Sequence, residues 1–178
     1  DAFSLDNTRE TLSDQPGEDS IDMTSALIRW NRFGEDYTSM IQVNDVSADT
    51  VYSYDEDWSY VGIRPFWEYS SFDSYARDLK RQTLEWRLTP SNSDATDWVA
   101  GVYARQDEES LNRDYTYLDA AFGSLNKADT LALYGQLSHS LTDDITLTLG
   151  TRLEQREVNY RDSAGVTESF NDNYWTGN

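Results

Sequence analysis

Cysteine is absent from this chain of 178 residues, and histidine occurs once, at His139. Without thiols the chain can form neither a disulfide framework nor a thiolate metal site. A single histidine also excludes a metal centre built from several imidazoles. The sequence contains no Gly-rich phosphate loop and no G-x-S-x-G nucleophile motif. It therefore lacks these signatures of phosphate-binding and hydrolytic enzymes.

Basic residues are scarce: 14 Lys and Arg stand against 33 Asp and Glu, which gives a formal net charge of -19. Binding to a phosphate backbone requires a basic face, so we expect no nucleic-acid partner. Aromatic residues, in contrast, make up 13% of the chain. Acidic disordered chains are poor in aromatics, so this composition favours a folded domain.

Long apolar runs are missing as well. A transmembrane helix needs about 18 or more consecutive apolar residues, and the sequence contains no such run. The strands of a membrane β-barrel alternate between apolar and polar residues, so this absence does not exclude a barrel.

What the sequence does contain is a regular alternation of apolar and polar residues, clearest between Leu131 and Tyr160. Because successive side chains of a strand point to opposite faces, the pattern predicts a hairpin whose turn is Thr142-Asp143-Asp144. If Leu141 pairs with Ile145 across that turn, the remaining pairs follow. They are Leu137 with Leu149 and Leu133 with Leu153 on an apolar face, and Tyr134 with Arg152 on a polar face. A slip of one residue would mix the two faces, so the register is well specified.

The apolar row of the second arm is long enough to cross most of a membrane. From Ile145 to Leu153 it spans roughly 26 Å along the strand, or about 20 Å of depth at a tilt of about 40°. The apolar band of an outer-membrane barrel is ~25 Å tall. A hairpin of a soluble antiparallel sheet with one buried face shows the same alternation, so this segment alone leaves both interpretations open.

Alternation and turn signals divide the chain into hairpins and loops. We predict a loop at 1–20, a first hairpin at 21–54, a long loop at 55–75, a second hairpin at 76–106, a long loop at 107–127, a third hairpin at 128–162, and a loop or the start of another strand at 163–178. The predicted fold class is all-β, an antiparallel up-and-down meander of about six to eight strands that forms part of a transmembrane β-barrel. Short turns would lie at one end of the sheet and long loops at the other.

The long loop at 55–75 is rich in aromatic residues and is the best candidate for a ligand site. Its rings could stack on a catecholate, a sugar ring or a planar chelate. The residues concerned are Trp58, Tyr60, Trp67 and Tyr69. The alternative is that these rings pack the loop upon itself or belong to an aromatic girdle at the membrane surface.

The polar face of the third hairpin carries further candidates. Tyr134, Arg152 and Arg156 would face the lumen of a barrel, where the arginines could contact an anion. The alternative is that they form ladders of ion pairs with neighbours such as Glu154.

Metal, cofactor and catalytic sites are not expected. Asp55-Glu56-Asp57 begins like a calcium loop, but Tyr60 stands where the EF-hand needs glycine and Phe66 where it needs the last glutamate. The many acids offer carboxylate pairs, yet no apolar neighbourhood marks one of them for acid-base catalysis. We therefore predict no metal, no cofactor and no enzymatic activity.

Several segments resemble strands of TonB-dependent outer-membrane receptors. Residues 82–88 (QTLEWRL) are similar to the family's Q-E-L-R-L strand, and residues 97–103 (DWVAGVY) to its W-x-x-G-x-Y strand. Residues 131–154 are similar to its A-L-Y-G-Q … L-T-L-G-x-R-x-E hairpin, and residues 54–58 (YDEDW) precede an aromatic loop. The likeness covers most of the chain and is weakest in 1–20.

This resemblance implies a bacterial outer-membrane receptor for the energy-coupled uptake of a ferric siderophore or a similar scarce nutrient. Members of the family have an N-terminal plug domain followed by a barrel of about 22 strands. The chain therefore looks like a middle section of the barrel without the plug domain. The implied partners are outer-membrane lipid, a small-molecule ligand such as an iron chelate, and TonB reached through a plug domain. A soluble secreted all-β domain that binds carbohydrate or another ligand remains the alternative, and a β-rich hydrolase a more remote one.

Overall fold

The computed structural model describes residues 12–92 and 95–177. Seven strands form one antiparallel sheet in which every strand pairs with its neighbours in sequence. The strands are β1 (Glu18–Phe33), β2 (Tyr37–Asp55), β3 (Phe72–Pro90), β4 (Thr96–Tyr115), β5 (Phe122–Thr142), β6 (Ile145–Asp162) and β7 (Thr167–Gly177). The predicted all-β antiparallel meander is therefore confirmed. No helix among the described residues is long and apolar enough to cross a membrane.

Connections differ between the two ends of the sheet. At the short-turn end, residues 34–36 link β1 to β2, 91–95 link β3 to β4, and 143–144 link β5 to β6. At the loop end, residues 56–71 link β2 to β3, while the links 116–121 and 163–166 are shorter. The predicted asymmetry therefore rests mainly on 56–71, because 163–166 is about as short as the links at the other end.

The long loop predicted at 107–127 is wrong. Strand β4 continues to Tyr115 and β5 begins at Phe122, so residues 116–121 alone form the connection. The sequence shows no alternation of apolar and polar residues here, because both faces of these strands are polar. Asp107 and Glu109 lie on one face and Glu108 on the other. Backbone hydrogen bonding continues without an apolar face to reveal it.

The other boundaries move by a few residues. The loop predicted at 55–75 covers 56–71. For 163–178 the prediction was a loop or the start of another strand, and this segment contains strand β7. Of the loop predicted at 1–20, residues 1–11 lie outside the described residues and β1 begins at Glu18.

The register of the third hairpin agrees with the prediction except next to the turn. The pairs Leu137–Leu149, Leu133–Leu153 and Tyr134–Arg152 are all present. The predicted pair Leu141–Ile145 is wrong, because Thr142 pairs with Ile145 and the register shifts between Ser140 and Thr142. The irregularity leaves Leu141 as an extra residue and shortens the turn to two residues, as a β-bulge does.

One face of the sheet, the apolar face, carries a continuous apolar row through all seven strands. The row runs Trp30, Ile41, Trp86, Val102, Leu133, Leu153, Trp175. The opposite face, the polar face, contains Tyr134, Arg152 and their cross-strand neighbours. Most large apolar side chains of the row are exposed, and the buried apolar residues among those described are small: Ala48, Ala128, Ala132 and Val158. A single sheet of this kind has no core of its own, so its apolar face must be covered by lipid or by protein.

Candidate functional site

The aromatic loop, residues 56–71, begins with an anchor at the end of β2. The buried Asp55 accepts hydrogen bonds from the backbone N–H groups of Asp57 at 3.2 Å and Trp58 at 3.1 Å. Its second carboxylate oxygen accepts from the backbone N–H of Asp14 at 3.1 Å. The carboxylate thus joins the start of the loop to the segment that precedes β1.

The stem of the loop is closed by backbone hydrogen bonds. The Glu56 N–H donates to the Ser71 carbonyl at 3.0 Å, and the Gly62 N–H donates to the Trp67 carbonyl at 2.8 Å. The Trp67 N–H in turn donates to the Arg64 carbonyl at 3.0 Å. These bonds hold the loop in a defined conformation, as a preorganised binding surface requires.

Two bulky aromatic residues of the loop have left-handed backbone conformations. Trp58 has φ of 53° and Phe66 has φ of 68°. Phe66 follows Pro65 in the turn that the Trp67–Arg64 bond closes, a position where a type II turn ordinarily carries glycine. Its side chain is fully exposed. Such strain in a bulky residue is uncommon and is found preferentially at functional sites.

The four predicted ligand residues divide into two pairs. Trp67 and Tyr69 are in edge-to-face contact with ring centroids 5.9 Å apart, and the Trp67 indole N–H donates to Ser59 Oγ at 3.1 Å. Trp58, 70% exposed, and Tyr60 have no ring contact with another described aromatic residue. Trp58 is therefore available to a ligand, whereas Trp67 is partly held by the loop.

The aromatic surface extends beyond the loop to the ends of β3 and β4. Tyr69 stacks on Tyr117 at 5.6 Å, and Tyr117 contacts Tyr115 at 5.6 Å. The Arg113 guanidinium lies over the Tyr75 ring at 5.1 Å and the Tyr115 ring at 5.3 Å. Sequence reasoning missed Tyr75, Arg113, Tyr115 and Tyr117. The alternating Tyr115 and Tyr117 were a usable signal, but Arg113 meets Tyr75 only through the β3–β4 register.

An ion pair lies beneath these rings. The Arg113 guanidinium donates to both oxygens of the buried Asp73 carboxylate, at 2.9 and 2.6 Å, and the Tyr75 hydroxyl donates to it at 2.9 Å. The hydrogen bonds from Arg113 lower the pKa of Asp73, and the same contact raises the pKa of Arg113. Burial, together with the bond to Asp73, raises the pKa of Tyr75. Asp73 is therefore ionised at neutral pH and fixes Arg113 between its two tyrosines.

Three carboxylates lie together where the loop meets the segment before β1. Ligand oxygens of Asp14, Asp55 and Asp57 are all within 4.8 Å of one another. Hydrogen bonding from Ser59 lowers the pKa of Asp57. The oxygens also accept backbone N–H groups, so the cluster has a structural role whether or not it binds a cation.

Of the predicted polar-face residues, Tyr134 and Arg152 lie at the level of the apolar row, far from the loop, and Arg156 lies four residues beyond Arg152 on β6, towards the loop end. The Tyr134 hydroxyl donates to Glu85 and accepts from Arg87 Nε at 3.3 Å. Arg152 Nε donates to Glu154 at 2.8 Å, and its guanidinium lies 5.6 Å from the centre of the Tyr103 ring. Tyr134 and Arg152 are cross-strand partners. Tyr134 is thus engaged with Glu85 and Arg87, and Arg152 with Glu154, the kind of pair that the ladder alternative describes.

Among known proteins, similarity to this chain was found with solved structures and not with family models or curated sequences. No protein-family model matches the chain. No curated protein matches it either. The structure is similar to that of the ferric yersiniabactin uptake receptor FyuA from Yersinia pestis, with a TM-score of 0.63, 16% sequence identity, and coverage of 88% of this chain and 24% of that chain. It is also similar to the ferric citrate transporter FecA in its unliganded form, with a TM-score of 0.64, 15% identity, and coverage of 86% of this chain and 23% of that one.

The chain shares the barrel fold of TonB-dependent receptors. It spans about a quarter of the length of the two solved proteins. The seven-stranded sheet is open, with β1 and β7 at its edges.

Proposed function

We propose that this chain is a wall segment of a TonB-dependent outer-membrane receptor that takes up a ferric siderophore or a similarly scarce nutrient. The observation that carries the proposal is the exposed apolar row through all seven strands. Soluble monomers rarely expose a contiguous apolar surface of this extent. In a membrane the same row faces the lipid chains and is stabilised by them.

The border of the apolar region supports a lipid contact. Next to Leu84 and Leu131 on the apolar face lies a polar row, in which Gln82 Nε2 donates to Asp45 at 2.8 Å. One row further, Lys127 pairs with Glu108 at 2.6 Å. The change from apolar to charged side chains occurs within two rows, as it does where a membrane-spanning strand leaves the hydrocarbon for water.

The aromatic loop is the proposed ligand-binding element. It lies at the loop end of the sheet, which is the extracellular end in outer-membrane barrels. Exposed Trp58 and Phe66 offer stacking area on a backbone that is already ordered, so binding orders few further groups. The nearby acids Asp57 and Glu68 favour a ligand that is cationic or carries a metal over a free anion. The two solved structures are named for ferric yersiniabactin uptake and ferric citrate transport.

Energy coupling would require parts beyond this chain. TonB would act through a plug domain, and the chain covers about a quarter of each of the two solved structures. The roles proposed for this segment are therefore lipid contact on one face, a lumen lining on the other, and ligand contact at the loop end.

Replacement of Trp58 and Trp67 together by alanine tests the ligand role. We expect the affinity of intact cells for the ligand to fall at least about tenfold, or ~1.4 kcal/mol, with an unchanged amount of receptor in the outer membrane. Ferric yersiniabactin and ferric citrate are suitable first probes. Val166→Ala, an exposed apolar residue of another connection at the same end, is the control. Unchanged affinity at a normal receptor level would leave the two tryptophans with a packing role.

A further inference from the structure

A trough runs along β5 on the polar face and differs from the rest of that face in its residues. The register places the small side chains of Ala128, Thr130 and Ala132 on this face as its floor. Thr130 lines the groove, and both alanines are buried. Its walls are the long side chains of the neighbouring strands. They are Tyr103, Arg105 and Asp107 on β4, and Arg152, Glu154 and Arg156 on β6. The walls and Thr130 line an open groove of about 320 Å³.

Register brings two arginines to opposite sides of one hydroxyl. Thr130 pairs with Arg105 on β4 and with Arg156 on β6. Neighbouring strands are about 4.8 Å apart, so the two arginines start roughly 10 Å from each other across the floor. Both arginine side chains line the same groove, and Thr130 between them carries a hydroxyl that can donate a hydrogen bond.

The neighbouring acids do not neutralise this site. Asp107 is shared between two arginines, Arg81 at 2.6 Å and Arg105 at 2.5 Å. Glu154 forms an ion pair with Arg152 at 2.5 Å. Each carboxylate therefore orients an arginine in the trough. With Asp172 of β7 included, four arginines (Arg81, Arg105, Arg152 and Arg156) stand against three carboxylates, a surplus of one positive charge.

Arg156 is the arginine of the trough without an anionic partner. Among residues 12–92 and 95–177 it forms no ion pair and no side-chain hydrogen bond. Its register partner on β7 is Asp172, which forms no ion pair among the described residues and accepts from the backbone N–H of Asn173 at 2.8 Å and from the Tyr174 hydroxyl. The side chain of Arg156 is exposed at the trough, so its donors are free for a ligand.

The distribution of basic residue types also favours an oxyanion. Both lysines of the chain, Lys80 and Lys127, lie on the apolar face, whereas every basic residue lining the trough is arginine. The planar fork of arginine matches the two oxygens of a carboxylate or a phosphate, which the point charge of lysine does not.

We propose that the trough binds an oxyanion, a carboxylate or a phosphate group, between Arg105 and Arg156 and over Thr130. The site is separate from the aromatic loop, and its position inside a lumen rests on the proposed function. It would bind the anionic group of a solute that has moved past the aromatic loop and its acidic residues.

The test is calorimetric titration of the purified full-length protein in detergent, at low ionic strength, with inorganic phosphate and separately with citrate. We expect saturable binding of at least one of the two anions. Arg156→Gln should weaken it about tenfold, the effect of losing a charge-assisted hydrogen bond. Arg77→Gln is the matched control, because Arg77 lies exposed on the same face without an ion pair among the described residues and away from the trough. Tighter binding of citrate would identify a carboxylate as the preferred group, and tighter binding of phosphate a phosphate.

Two results would overturn the proposal. The first is the absence of saturable binding of both anions, which is also the outcome if an acidic side chain of the same protein fills the trough. The second is an equal loss of affinity in both arginine variants, which would indicate general charge attraction. Thr130→Val, which alters no charge, provides a second variant and should also weaken binding. The Trp58/Trp67 double variant should bind phosphate normally, so a failure of the loop proposal does not affect this test.

Discussion

The Tyr134 ring lies directly over Gly101 on the neighbouring strand. A Cβ atom added to Gly101 would be 2.5 Å from Cζ and the hydroxyl oxygen of Tyr134, well inside van der Waals contact. The missing side chain lets the ring cross β4, so that its hydroxyl reaches Glu85 and Arg87 on β3. A glycine in a strand interior often marks such a close approach, and here the glycine determines where a polar network forms.

Gly101→Ala should destabilise the folded protein. The added methyl group must displace the Tyr134 ring and its hydroxyl contacts, which should cost about 1–3 kcal/mol. In a Tyr134→Ala background the same change should be neutral or slightly stabilising, since alanine is favoured over glycine in a strand by roughly 0.5–1 kcal/mol. Denaturant unfolding of the four variants measures this coupling. An equal cost in both backgrounds would show that the ring does not depend on Gly101.

Under the proposed function, Leu149→Arg should destabilise a refolded barrel by ~2–4 kcal/mol, because it would place a charge in lipid near mid-depth. Leu149 lies on the apolar face and is 55% exposed. Thr148→Arg is the control: Thr148 lies on the opposite face, where its hydroxyl is 3.0 Å from that of Ser138. The arginine there would meet water in the lumen and should cost much less. Unfolding from lipid vesicles measures both, and equal costs would contradict the assignment of the faces.

Phe66→Gly should separate stability from binding. At φ of 68° the phenylalanine backbone is strained, and its exposed ring contributes no packing. Glycine removes that strain, so we expect stabilisation by up to about 1 kcal/mol with weaker ligand binding. Phe66→Ala should lose the same binding without the gain in stability, because it keeps Cβ. A loss of stability in Phe66→Gly would indicate that the ring packs in the intact protein.

The Asp73–Arg113 pair should make the loop end sensitive to acid. The folded-state pKa of Asp73 lies below its ordinary value of 3.8 because Arg113 hydrogen-bonds the carboxylate. The carboxylate binds a proton more readily in the unfolded state, so the pair's stabilisation is complete above that ordinary value. It is lost as the pH falls through the folded-state pKa.

Hydrogen exchange of the loop-end amides between about pH 6 and pH 3 measures this loss, once corrected for the pH dependence of intrinsic exchange. Asp73→Asn should be less protected at the higher pH and should show a flatter pH dependence than the wild type. Equal pH dependence in the two proteins would assign the acid sensitivity to other carboxylates.

Local sequence pattern was sufficient for the strands that have one apolar face. Alternation with a period of two placed Leu133 opposite Leu153 and Tyr134 opposite Arg152, because a strand side chain has only two directions and one direction here is apolar. The same pattern predicted the meander and its unequal ends. It failed at 107–127, where both faces are polar and strand and loop have the same composition.

Within the candidate sites, the sequence identified the aromatic loop from its composition and Arg152 and Arg156 from their face. It could not identify the partners. Arg113 meets Asp73, and Tyr134 meets Glu85, across 40 and 49 residues of chain, because backbone pairing of whole strands fixes which distant side chains become neighbours.

By itself the sequence determined an acidic, cysteine-free, all-β chain with one apolar and one polar face, since composition and a period of two are local properties. The tertiary structure alone decided where strands end, which aromatic rings stack, and that Arg105, Thr130 and Arg156 share one row. Those features depend on the relative register of separate strands. That register follows from the hydrogen bonds and connections of the assembled sheet, which no single segment contains.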